Sequence, residues 1–304
     1  MRLPALFIAF CLFAGCTQQA AQAPPPPPKP PLEFLGEWGT PGDGPGQLFE
    51  PTDVAVDSVG NVHLPDKGSR FIHKFSPMGT PLLSFQNVSL LEPSCIALDR
   101  GDALYICDSK RKAVYVFFPT GDFLRVLRGL GREPGAVPSD VAVDADGTVF
   151  VAAGTGIVRF APRGRLGHAW GHNGATPGAS RAENIQVSSD GSVYVLDAEK
   201  VRVQRFSSQG EFLDEWPMAG SDSPSAFALW GNTIAVARPI SSVIEVWALD
   251  GRRLFEIDVS NHFAPSGTES KEHIGALAFS PKGELFALVR SPARPRVLRF
   301  RTNF

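Results

Sequence analysis

A chain of 304 residues that is 43% hydrophobic and 20% charged has the composition of a globular protein, which excludes a wholly disordered chain and a multi-span membrane protein. Its length suits one large β-structure with an appendage, or two domains. Net charge is −2 and glycine and proline number 30 and 27, so many turns are expected, and no basic field exists to make nucleic acid a partner.

The first 15 residues read as a targeting segment, with Arg2 followed by the apolar run Leu3 to Phe13, too short to cross a bilayer as a helix. Phe13-Ala14-Gly15-Cys16 resembles a bacterial lipobox, with Phe13 where leucine is usual. The resemblance implies that Cys16 is lipidated and becomes the first residue; an ordinary secretory signal cut nearby is the alternative. Residues 16–31 form a tether, since seven prolines between Thr17 and Pro31 remove the donors that helix or interior strand needs. As polyproline II, the eight residues from Pro24 reach about 25 Å. Thr17, rather than aspartate, follows Cys16. By resemblance to the sorting rule of Gram-negative lipoproteins, this implies a lipid-anchored outer-membrane protein, periplasmic or surface-exposed.

From Leu32 onward the chain repeats itself. Val54-Ala55-Val56-Asp57, Ile96-Ala97-Leu98-Asp99, Val141-Ala142-Val143-Asp144, Ile185-Gln186-Val187-Ser188, Phe227-Ala228-Leu229-Trp230 and Leu277-Ala278-Phe279-Ser280 recur every 42 to 50 residues. An aromatic four residues before a glycine recurs at the same period, as in Phe75/Gly79, Phe117/Gly121, Phe160/Gly164, Phe206/Gly210 and Trp247/Gly251. Each unit reads as a strand, a glycine turn, a second strand, a third strand ending at the aromatic, another glycine turn and a fourth strand. Four antiparallel strands at this period describe a propeller blade, so the predicted fold is all-β, a six-bladed propeller over residues 32–304. The sixth unit runs out at Phe304 before its outer strand, while Leu32 to Trp38 has the outer-strand pattern with no inner strands before it. Pairing the two closes the ring and removes two sheet edges.

The segments Gly44-Pro45-Gly46-Gln47-Leu48, Glu50 to Asp57, Gly60-Asn61-Val62 and Asp66 to Arg70 resemble the consensus of the NHL-repeat family. Asp108 and Asp197 repeat the Asp66 position, whereas Ala153, Arg238 and Arg290 stand there in blades three, five and six. The resemblance implies a six-bladed propeller. Family members bind proteins, RNA or small molecules, and a few relatives are metal-dependent lyases or lactonases. Propeller lipoproteins similar to this one are often associated with multihaem cytochrome systems, which suggests a partner of that kind. No haem is expected on this chain, because no Cys-x-x-Cys-His occurs.

An enzyme acting at the propeller channel is the competing reading. His172, His262 and His273 flank loops that converge on one face and make a zinc site conceivable, without the short ligand spacing that would demand it. His63 and His73 fall in strands of blade one, at positions read as solvated edges. No nucleophile elbow and no phosphate-binding loop is found.

One residue before each quartet stand Asp53, Cys95, Asp140, Asn184, Ala226 and Ala276, expected to ring one mouth of the channel. Asp53, Asp140 and Asn184 suit a hard cation such as calcium, or equally the capping of backbone amides where strands begin. If Asp99 and Ala103 close the hairpin of blade two, Cys95 faces Cys107, leaving a disulfide or two packed thiols open. Arg70, Lys112, His172, Arg202 and Arg238 fall at or near turns on one side, with Arg111, Lys200 and Arg294 nearby. Together with the longest connections they mark an expected binding face for a protein partner in the bacterial envelope.

Overall fold

The computed structural model describes residues 30–130, 136–171, 182–218, 222–263 and 272–304. Its strands form six four-stranded antiparallel sheets. Blade one runs outward through Ala55–Val56, Val62–Pro65, Ile72–Phe75 and Pro81–Phe85, and blade two through Pro93–Leu98, Leu104–Asp108, Ala113–Phe117 and Phe123–Leu127. Blade six takes three strands from the end of the chain, His273–Phe279, Glu284–Arg290 and Arg296–Thr302, and its outer strand, Leu32–Trp38, from the beginning. The seam runs in register from Leu32 opposite Thr302 to Trp38 opposite Val297, with a bulge between Phe34 and Gly36. Asn303 donates its amide to the Pro31 carbonyl at 2.9 Å, which extends the seam by one residue. The expected six blades and their closure are therefore present. Among the described residues no helix is long and apolar enough to cross a membrane.

The core lies between blades rather than within them. Second strands such as Leu104–Asp108, Val149–Ala153 and Val193–Asp197 are buried along their whole length, because a neighbouring blade covers each face, and they accordingly read as near-continuous apolar runs. The aromatic-to-glycine repeat has a packing cause. Sheet twist leans the outer strand of one blade over the third-to-outer turn of the next, and the turn glycine is where the two meet. At Gly79 (φ +82°) an added Cβ would lie 2.4 Å from the Trp38 ring, and at Gly251 (φ +83°) 2.7 Å from Trp216. Only glycine both adopts that backbone and leaves room for the indole.

Connectivity defines two faces. The loops between blades, the starts of the inner strands and the second-to-third turns share the upper face; the inner hairpin turns and the third-to-outer turns share the lower. The chain enters the propeller at the start of an outer strand, on the lower side.

Candidate functional site at the upper face

Short polar side chains stitch neighbouring blades together around the upper mouth. Asp53 accepts the Val54 amide at 2.8 Å and, across the blade boundary, the Ile96 amide at 2.8 Å. Asp140 does the same for Val141 and Ile185, each at 2.8 Å, and also accepts from the Asn184 side chain at 3.3 Å. Beside them, Thr52, Ser139 and Ser225 reach carbonyls of the next blade, at Pro93, Ala182 and Ile274. These hydroxyls belong to alternate blades, a regularity visible in the sequence as hydroxyl residues just before Asp53, Asp140 and Ala226, which the ring of channel-mouth residues by itself does not suggest.

The mouth opens into a cavity of about 400 Å³ lined by Asp53, Ser139, Asp140, Asn184, Ser225 and Arg290, among others. Burial pushes the Asp53 carboxyl up to about 6. Burial and then the charge of Asp53 push Asp140 well above the usual carboxylate range. Arg290 donates to the Thr52 carbonyl, and burial draws its own pKa down. Its guanidinium can lie here because blade six has Gly275, where a Cβ would sit 2.3 Å from Arg290 Nε. Asp53, Asp140 and Asn184 thus share one cavity, with all four aspartate oxygens engaged by backbone amides, the capping arrangement. No group of three or more His, Cys, Asp or Glu side chains that could hold a metal occurs among the described residues.

The outer loops of this face are held by a second set of carboxylates. Asp66 accepts the amides of Phe49, Glu50 and Ser69, and Asp108 those of Leu91, Glu92 and Arg111. Each pins an inter-blade loop to a second-to-third turn. In blade five the carboxylate comes from the loop instead: Asp222 accepts the Ile240 and Ser241 amides, and Arg238, at the usual aspartate position, donates to the Asp222 carbonyl. Sequence reading passed over Asp222 because it lies outside the repeat register.

Of the expected face residues, Arg70 and Lys112 are exposed on turns with φ of 61° and 50°, and Lys200 is exposed as well. Two expectations are corrected. Arg238 is only 2% exposed and pairs with Glu245 at 3.2 Å. Arg202 is buried and pairs with Asp197 at 3.3 Å and with Glu215. Both lie on third- or second-strand ends, where the next blade covers them, and they carry partners from their own blade into the core. Arg294 pairs with Glu37. His172 lies outside the described residues. Between the charged tips project the apolar side chains Phe49, Val88 and Ile240, and Phe49 with Pro51 and Pro292 walls a groove of about 420 Å³ beside Arg290.

The histidines are distributed, not gathered. His63 and His73, expected at solvated edges, are buried, because blade one is covered on both faces. His63 bonds Asp57 at 3.3 Å, which also pairs with Lys74 at 2.9 Å. His73 Nδ1 bonds Ser84 Oγ at 2.9 Å, and burial holds its pKa down at about 4. His262 stacks on Phe34 at 4.1 Å at the outer seam, while His273 lines the groove beside Phe49. Cys95 and Cys107 stand opposite each other in register, with Cα atoms 5.0 Å apart, and form a disulfide. Of the two readings open for them, the structure has the bonded one.

No family model matches the chain, and no curated protein matches it significantly. Solved structures do. A streptogramin B lyase superposes with a TM-score of 0.65 at 12% identity, over 89% of this chain and 97% of that one. Virginiamycin B lyase from Staphylococcus aureus superposes with a TM-score of 0.59 at 12% identity, over 82% of this chain and 79% of that one. At such identity the likeness is one of fold: this is a six-bladed β-propeller similar to virginiamycin B lyase.

Proposed function

We propose that the chain is a lipid-anchored envelope protein of NHL type, held to the outer membrane through Cys16, which binds a protein partner with its upper face rather than catalysing a reaction. The observation that carries this reading is the composition of that face. Apolar tips at Phe49, Val88 and Ile240 stand among exposed Arg70, Lys112 and Lys200, on loops fixed by Asp66, Asp108 and Asp222. Apolar contacts within a polar, basic surround on a rigid scaffold are what a protein interface uses. The tether joins the opposite side, which leaves this face open. The test is photo-crosslinking in cells from positions 88 and 240 against a lower-turn control at position 209. Capture of one discrete protein from the upper positions alone supports the reading, and equal or absent capture from all three sinks it.

A second reading, an enzyme acting at the channel, is favoured by one feature: two carboxyls of raised pKa and Arg290 meet around a single cavity at the upper mouth. Stoichiometric metal in the purified protein, with chelation-sensitive turnover of a small substrate, would replace the binding reading by this one.

A further inference from the structure

The outer strand of every blade begins on an exposed apolar side chain. Phe34 is 41% exposed, Leu82 52%, Phe123 49%, Leu166 51%, Phe212 38% and Leu254 37%, and each is among the first three residues of its strand. Ring closure therefore sets them in a circle around the lower side of the outer wall. Three turn tips on the same side add to it, Val59 at 74%, Met78 at 70% and Phe118 at 46% exposed. Apolar side chains scattered singly over a surface need no explanation, but one near the start of the outer strand in all six blades does: it faces the third-strand aromatic in four of them (Phe34, Phe123, Leu166 and Phe212) and stands one residue later in the other two (Leu82 and Leu254). These strands are also sheet edges, where uncovered apolar residues invite aggregation.

The path of the chain indicates what covers them. Pro31 is tied to Asn303 at the start of the blade-six outer strand, three residues before Phe34 of the circle, so the tether leaves from beside the ring. We propose that the lower side of the outer wall rests on the lipid bilayer, with the partner-binding face turned away from it; this rests on the reading of Cys16 as lipidated. The lower mouth is lined by Asp99, Asp102 and Asp144 against Arg100 alone, with Asp57 buried and paired to Lys74, a net-negative rim that disfavours anionic headgroups. The lipid surface that fits is therefore zwitterionic, and the contact is apolar and insensitive to salt.

The experiment uses the full lipidated chain reconstituted in phosphatidylethanolamine and phosphatidylcholine vesicles with brominated acyl chains. An environment-sensitive fluorophore is placed on Val59→Cys, Met78→Cys or Ile240→Cys, all exposed positions. Bromine quenching at the two lower positions is expected to exceed that at Ile240 by about two-fold or more and to persist at high salt. It should fall at Val59→Cys when Met78→Glu and Phe118→Glu are added. Equal quenching at upper and lower positions, in protein that still sediments with the vesicles, overturns the lipid-facing wall and leaves the anchor standing. Failure to sediment overturns the anchor, and the wall contact with it.

Discussion

Glu37 and Arg296 stand 259 residues apart in the chain and 3.1 Å apart across the seam that closes the propeller. Arg296 also holds Glu272 with two bonds of 3.0 Å and donates to the His262 carbonyl, so one buried guanidinium binds the first strand, the last strand and the loop before blade six. Arg296→Met removes the buried cation that Glu37 and Glu272 share, Glu37 keeping only the exposed Arg294, and a loss of about 3–5 kcal/mol in urea unfolding is expected. Arg301→Met breaks only the exposed pair with Glu33, and a change within about 0.5 kcal/mol is expected. Equal losses in the two variants would show that the seam does not depend on this contact.

Asp140 carries a comparable role between blades three and four. Asp140→Ala strands the Val141 and Ile185 amides, at a cost of about 2 kcal/mol, and should leave partner capture intact. Asp53 adds a pH signature. Its pKa is raised from 3.8 to about 6 on folding, so its contribution is fully present below pH 3.8 and is lost as pH rises through about 6. Asp53→Asn should remove that slope from a stability curve measured across this window.

His73 should give the opposite slope. Its pKa falls from 6.5 to about 4 on folding, so the unfolded chain takes the proton first, and stability drops as pH falls from 6.5 toward 4. In His73→Leu the loss over that interval should vanish, whatever the variant does to stability at neutral pH. The carboxylate of Asp57, held far below the ordinary range by His63, Asn61 and Lys74 against the opposing effect of burial, acts in a separate window, below about pH 3.8.

The basic residues of the upper face should separate into two groups. Arg70→Glu with Lys112→Glu touches only exposed turns, so stability should stay within about 0.5 kcal/mol while partner capture weakens, mostly through association rate. Arg238→Ala uncovers Glu245 inside blade five and should cost about 3–5 kcal/mol. Thermal unfolding beside a capture assay reads both.

The Cys95–Cys107 bond closes a loop with a sequence separation of 12, for which chain entropy gives about 3 kcal/mol. Cys95→Ala with Cys107→Ala should lower the urea midpoint correspondingly. Since both side chains are buried, a thiol reductant should act on the folded protein slowly and on the unfolded protein at once.

The sequence by itself determined the number of blades, the strand that closes the ring and the facing of Cys95 and Cys107. All three follow from local rules: a period of short strands and glycine turns, a missing outer strand matched by an extra one, and the two-residue repeat of a hairpin. It also located Asp53, Asp140 and Asn184 at one mouth, because equivalent positions in a closed ring must converge. Only the tertiary structure decided which polar residues reach solvent. In an open sheet, alternation along a strand separates an inner face from an outer one, and on that basis Arg202, Arg238, His63 and His73 were expected at edges or turns in water. In a propeller the neighbouring blades cover both faces of the second and third strands, so either phase of the alternation leads into the core. A charge there persists only where another blade position or loop supplies its partner, as Asp197 and Glu215 do for Arg202 and Glu245 and Asp222 do for Arg238. Those partners are set by twist and by loop path, which no strand pattern encodes.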